Sequence, residues 1–245
     1  FRPMWTRQVR LLIQDKLGEG QQGTVFKALR RDSLTGLRQV VAVKILHSKT
    51  AVDLWQKEFE SLNRVRSAYC VQVLSFERVR GVPALILEFV DGVSLSRLVE
   101  CAELEETLVS EILAQVQSGL EDLRSAGLFH GDLSPRNILI DRSGGIRLLD
   151  FGLANQASGL LRVTPEFAAP ECFHGHGGNY QADLFSLGRI EQFLQRADLS
   201  NCPLNNYLHF EPSKRTRRPI KSHVLYREKL GQLIRQIQTR ENRLR

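Results

Sequence analysis

Cysteine is scarce in this 245-residue chain: Cys70, Cys101, Cys172 and Cys202 are scattered, and no two form a C-x-x-C pair. Reduced thiols are expected, and neither a disulfide framework nor a four-cysteine zinc site can be read from that spacing. Long apolar runs are missing too. Nothing approaches the roughly 18 apolar residues that a membrane-spanning helix needs, and the N-terminal residues lack the charged, apolar, small-residue order of a signal peptide. A cytoplasmic location is therefore expected. Internal repeats and low-complexity segments are absent, and no Met precedes Phe1, which suggests an excised domain or a processed chain.

What is present is the composition of an ordinary globular protein, with 42% apolar and 25% charged residues and enough length for a sizeable core. The net charge of +7 is unevenly placed. Residues 214–245 hold eleven Lys or Arg against two Glu, a balance of +9 that leaves −2 for everything before them. This basic tail reads as a solvated helix, or as a surface for an acidic partner, nucleic acid or an anionic membrane.

Most of the chemistry lies in one stretch, His130-Gly131-Asp132-Leu133-Ser134-Pro135-Arg136-Asn137, followed by Asp150-Phe151-Gly152. Between them, Ile138-Leu139-Ile140 and Ile146-Arg147-Leu148-Leu149 read as short paired strands with Asp141 to Gly145 as their turn. Such a hairpin brings Asn137 and Asp150 to the same end. There, two oxygen donors can hold a hard divalent cation such as Mg²⁺, and Asp132 is left to accept a proton.

Upstream, Gly18-Glu19-Gly20-Gln21-Gln22-Gly23-Thr24-Val25 fits G-x-G-x-x-G-x-V. Dinucleotide-binding folds use a similar pattern, but a helix follows their last Gly, whereas Thr24 to Ala28 has the texture of a strand. Val40 to Leu46 is a strongly apolar strand with one embedded cation, Lys44, which is costly to bury unpaired. A helix should start near Thr50, with Val52, Trp55, Phe59 and Leu62 on one face and Glu58 beside it, while Glu60 points about 200° away from Glu58. Val71 to Glu77 and Ala84 to Val90 read as further strands, with Arg80 to Pro83 turning between them. The period then becomes helical: Leu108, Ile112, Val116, Leu120 and Leu123 share a face, and Gly127 is placed to end that helix.

Together these residues resemble the protein kinases, whose signatures are the glycine-rich loop, the V-A-I-K Lys, the H-R-D-L-x-x-x-N loop and D-F-G. Thr164-Pro165-Glu166-Phe167-Ala168-Ala169-Pro170-Glu171 resembles the end of a kinase activation segment, Asp183 the anchor of the catalytic loop, and Arg215 the partner of Glu171. The resemblance covers about residues 11 to 240. It implies an α+β, two-lobed protein kinase-like fold: residues 1–90 a small antiparallel sheet with one helix, residues 91–245 mainly helical. It further implies ATP and Mg²⁺, or Mn²⁺ in its place, with a protein Ser or Thr as acceptor. Gly18, Gly20, Gly23, Val25, Ala42 and Lys44 would contact the nucleotide, as would the backbone of Glu88 and Val90 at its adenine. Lys44 would be held by Glu58, Asn137 and Asp150 would hold the metal, and Asp132 would be the base.

Two positions depart from the family pattern. Gly131 stands where most protein kinases carry Arg, and Ser134 where serine/threonine kinases carry a Lys. Arg136 is placed to supply the missing cation. A non-catalytic kinase-like scaffold and a small-molecule phosphotransferase are the alternatives; the latter is favoured by His-Gly-Asp-Leu and opposed by Thr164 to Glu171.

Overall fold

The computed structural model describes residues 10–20, 23–31, 36–47, 56, 59–60, 62–151, 163–174, 178–195, 212–215 and 222–243. The chain divides into two compact units, one of Phe1–Arg64 with Val71–Phe89 and one of Val65–Cys70 with Val90–Arg245.

The first unit is an antiparallel five-stranded sheet of order β1-β2-β3-β5-β4, comprising β1 (Arg10–Glu19), β2 (Gly23–Arg31), β3 (Arg38–Leu46), β4 (Val73–Val79) and β5 (Val82–Glu88). Side chains alternate between its faces, so register decides their company. Ala28, Val41, Val43, Ala84 and Ile86 form the buried cluster of one face. Val25, Lys44 and Leu85 are paired across three strands on the other face, as are Lys27, Ala42 and Leu87. Phe76 is paired with Leu85, and Phe59 stacks on Phe76 with centroids 6.4 Å apart.

The turn between β4 and β5 is tighter than the expected Arg80 to Pro83. Arg80 and Gly81 alone form it, with φ of 51° and 80°, the double positive φ of a two-residue hairpin whose twist matches the strands. Val82 and Pro83 therefore belong to β5, opposite Val79 and Arg78.

In the second unit, β6 (Gly92–Ser94), β7 (Ile138–Asp141) and β8 (Ile146–Leu148) make a small antiparallel sheet. Among the described residues four α-helices accompany it: α1 (Leu95–Cys101), α2 (Glu106–Ser125), α3 (Tyr180–Gln195) and α4 (Val224–Arg243). α2 ends as expected. Gly127 has φ 73°, its N–H donates to Arg124 O at 2.9 Å, and Leu128 N–H donates to Leu123 O at 2.9 Å. This pair of bonds satisfies carbonyls that a helix end leaves open. β6 and α1 carry no strong sequence signal. β6 exists because Gly92 lets the chain press onto the Ile140 carbonyl, and Ser94 caps α1 by accepting from Arg97 N–H.

The expected apolar face of α2 is buried, yet so are Glu111, Gln115 and Gln117 from its polar side. Glu111 accepts from Ser222 Oγ at 2.6 Å and His223 N–H at 2.5 Å, just before α4. Gln115 donates to Gly144 O and accepts from Ile146 N–H. Packing of α4 and of the β7–β8 turn against α2 thus turns a nominally solvated face into a bonded interior. No described helix is long and apolar enough to cross a membrane.

Candidate active site

In the first unit the ladder does the positioning. Lys44 is only 3% exposed, with the half-buried Val25 beside it in register and Ala42 two residues earlier on the same face. The three glycines of the loop are not equivalent. A Cβ on Gly23 would run into the Ile45 carbonyl across β3, so packing alone requires glycine there. Gly18 and Gly20 face open space, where a Cβ would meet nothing within 4 Å. Their smallness is not demanded by any described neighbour. At the end of β5, Glu88 donates its N–H to Gln72 O at 3.0 Å and accepts Gln72 N–H on its carboxylate at 3.1 Å. Val90 opens the second unit and is half-buried. Glu58 lies outside the described residues, as do Gln21 and Gln22 of the loop and Gly152.

In the second unit hydrogen bonds to side chains do the positioning. Asp183, the fourth residue of α3 and buried, accepts His130 N–H at 2.7 Å and Gly131 N–H at 2.9 Å. Gly131 has φ 82°, a conformation that costs any other residue strain. Asp132 follows on this fixed backbone. Its Oδ1 accepts both the N–H of Thr164 at 2.7 Å and its hydroxyl at 2.8 Å. Asn137 donates Nδ2 to Asp132 O at 2.8 Å, and a longer contact of 3.5 Å runs to Asp132 Oδ2. Leu149 N–H donates to Asn137 O at 2.8 Å, which closes the hairpin and brings Asn137 beside the exposed Asp150, whose φ is 55°.

Burial pushes the Asp132 carboxyl above the usual aspartate range; the Asp150 charge adds to this, while the Thr164 and Asn137 bonds oppose it. Burial likewise lowers His130 to about 4 and raises Asp183 to about 7, in the latter case against its two N–H bonds. That Thr164 spends both donors on Asp132 was not read from the sequence, where the available signal was Thr-Pro at the end of the activation segment.

Arg136 is exposed, whereas Ser134 is 2% exposed and in the interior. Arg215, 3% exposed, grips Glu171 with two nitrogens at 2.5 and 2.9 Å, reaches Gln181 O at 3.0 Å and lies over the Phe185 ring. Fork-to-fork pairing of this kind fixes direction as well as charge.

Among the described residues no group of three or more His, Cys, Asp or Glu could hold a metal. Mg²⁺ does not need one: one or two protein oxygens suffice when water and phosphate complete its shell. The donor set fits. Asn137 has its amide nitrogen committed to Asp132, which leaves the carbonyl oxygen to a cation, and Asp150 offers an exposed carboxylate beside it.

A family model described as "Protein kinase domain" matches residues 11–198. The chain belongs to the protein kinase family. Among its relatives, a probable serine/threonine-protein kinase, pknA2, of Bifidobacterium longum is 31% identical over 197 residues, 73% of this chain and 25% of that protein. Serine/threonine-protein kinase Pkn1 of Myxococcus xanthus is 33% identical over 192 residues, 71% of this chain and 27% of its own length. Serine/threonine-protein kinase ULK3 of Xenopus laevis is 32% identical over 191 residues, 73% and 40%. The chain thus spans a quarter to two-fifths of these relatives. The family uses ATP and a divalent metal ion in general, and the antiparallel sheet followed by a mainly helical unit is the α+β architecture expected of it.

Proposed function

We propose that this kinase domain transfers the γ-phosphoryl group of ATP to a Ser or Thr hydroxyl of a protein. The observation that carries the reading is Asp132: a partly buried carboxylate with one oxygen held by Thr164, its backbone tied to Asn137, and a pKa raised toward that of a useful base. Lys44 would orient the phosphates, with Glu58 as its partner. Gly18 and Gly20, which packing does not require, would let backbone approach the phosphates, and Gly23 would hold their loop against β3. Val25 and Ala42 would cover the adenine, and the Glu88 and Val90 backbones would bond its edge.

Asn137 and Asp150 would hold Mg²⁺, or Mn²⁺ in its place; when bound, the ion would neutralise phosphate charge. Asp132 would orient the acceptor hydroxyl and take its proton. Arg136, exposed and two residues after the buried Ser134, would supply the positive charge that Ser134 lacks. The chemistry is positioning and charge neutralisation. Division at Asp91 into residues 1–90 and 91–245, and a cytoplasmic location, complete the proposal.

Incubation with labelled ATP, Mg²⁺ and generic protein substrates tests it: label should enter phosphoserine or phosphothreonine. A second reading, a kinase-like binding protein, is favoured by Gly131 and Ser134. Nucleotide binding without transfer to any protein would select it.

A further inference from the structure

α4 has two faces of opposite character. Leu230, Ile234 and Ile237 are buried, and the helix packs on α1, α2, β6 and β7. From Gln232 onward the other face carries Gln232, Arg235, Gln236, Thr239, Arg240 and Arg243, all exposed and lining a shallow, open depression of about 470 Å³, with the exposed Asn242 at its edge. Helical spacing puts these six on one stripe. No carboxylate lies within it. Glu241 points away and is held by Arg97 at 2.8 Å, and Glu228, one turn earlier, closes the stripe at its N-terminal end. Arg240 and Arg243 have no ion-pair partner among the described residues.

We propose that this stripe docks an acidic segment of a protein partner. Arg240 and Arg243 match carboxylates by charge and by fork geometry, Arg235, which donates one nitrogen to Arg142 O, extends the positive charge over about 12 Å of helix at 1.5 Å per residue, and the interleaved Gln side chains can bond a peptide backbone. The whole stripe is about 16 Å long, the reach of roughly five extended residues. Its surroundings argue against a broad polyanion. Asp91 and Glu105, paired with Arg142 and Lys229, place carboxylates beside α4 that oppose a duplex wider than the stripe, and the stripe has no aromatic ring on which a base could stack. Insertion into a membrane needs an apolar face, and that of α4 is buried; Val224 and Leu225, its exposed apolar residues, stand about two turns from Gln232.

The test is fluorescence anisotropy of a short labelled peptide rich in Asp and Glu, titrated with the 245-residue chain in the absence of ATP, so that its outcome is separate from that of the phosphotransfer assay. The peptide should bind in a salt-sensitive way, and the double variant Arg240→Glu/Arg243→Glu should weaken it by about tenfold or more. Arg240→Lys/Arg243→Lys should retain most of the affinity. Both positions are exposed, so the melting temperature and basal phosphotransfer should not change. Binding that ignores charge reversal would overturn the proposal. So would tighter, reversal-sensitive binding of a duplex DNA, a single-stranded RNA or phosphatidylserine vesicles than of the peptide.

Discussion

The two units place their candidate site residues by different physics. In the sheet, Val25, Ala42 and Lys44 are set by strand register; a slip of one residue would move all of them to the other face. In the helical unit, Asp132, Asn137 and Asp150 sit on irregular backbone held by individual side chains: Asp183 under His130 and Gly131, Thr164 on Asp132, Arg215 on Glu171. Register is a collective property that tolerates single changes in side chain. Irregular backbone held by single side chains does not, so point substitutions in the second unit should be the more damaging.

The largest effect is expected at the proposed base. Asp132→Asn should lower phosphotransfer by roughly 10⁴-fold, about 5 kcal/mol of barrier, at the upper end for a general base because its anchoring to Thr164 is disturbed as well. Nucleotide affinity should be nearly unchanged, whereas Asp150→Asn should also weaken metal-dependent nucleotide binding. Equal defects in the two binding titrations would remove the distinction between their roles.

Next comes Arg215→Met, which leaves the Glu171 carboxylate without its fork and should cost on the order of 3 kcal/mol or more in denaturant unfolding. An unaltered unfolding midpoint would mean that this buried pair does not hold the helical unit together.

Smaller effects separate the glycines of the first unit. Gly23→Ala should destabilise the domain by roughly 2 kcal/mol, as overpacking against fixed backbone does. Gly18→Ala should leave the melting temperature alone and weaken nucleotide binding. If both alter only stability, the loop is a packing feature.

The smallest effect is in the pH dependence of stability, where two buried groups of the second unit oppose each other. His130 has its folded pKa lowered to about 4, so its contribution is complete above the ordinary value near 6.5 and is lost as pH falls toward 4. Asp183 has its folded pKa raised to about 7, so its contribution is present below the ordinary value near 3.8 and is lost as pH rises through 7. Between these limits the slopes cancel in part. Asp183→Asn should expose the His130 slope, a further loss of about 1 kcal/mol or more on acidification. His130→Phe should expose the opposite slope. Parallel curves for the two variants would show that the buried pair does not set the profile.

Much of this architecture was legible because its signals are local. Gly127 ended α2 through the left-handed conformation that glycine allows, and Ile138 to Leu149 read as a hairpin because apolar runs flank a polar turn with one Asp and two Gly. Signals failed where geometry was finer than composition. Arg80 to Pro83 all looked like turn residues, yet only Arg80 and Gly81 take positive φ, which the Pro83 ring forbids and the β-branched Val82 resists, and Val82 and Pro83 joined the strand. β6 depends on Gly92 meeting the Ile140 carbonyl, a contact between residues far apart in the chain, and α1, seven residues capped by Ser94, is too short for a helical period to show.

The sequence by itself determined which residue types are available and in what order: the glycines, Lys44, Asp132, Asn137, Asp150 and Arg215 stand at spacings that depend on nothing outside the chain. Tertiary structure decided what each of them meets. It distinguished Gly23 from Gly18 by the proximity of β3, tied Thr164 to Asp132 across 32 residues, and buried Glu111 and Gln115 from a face that periodicity assigns to solvent. The reason is one of range. Spacing and propensity act within a few residues, whereas close packing and the need to satisfy every buried polar atom are conditions on the whole chain.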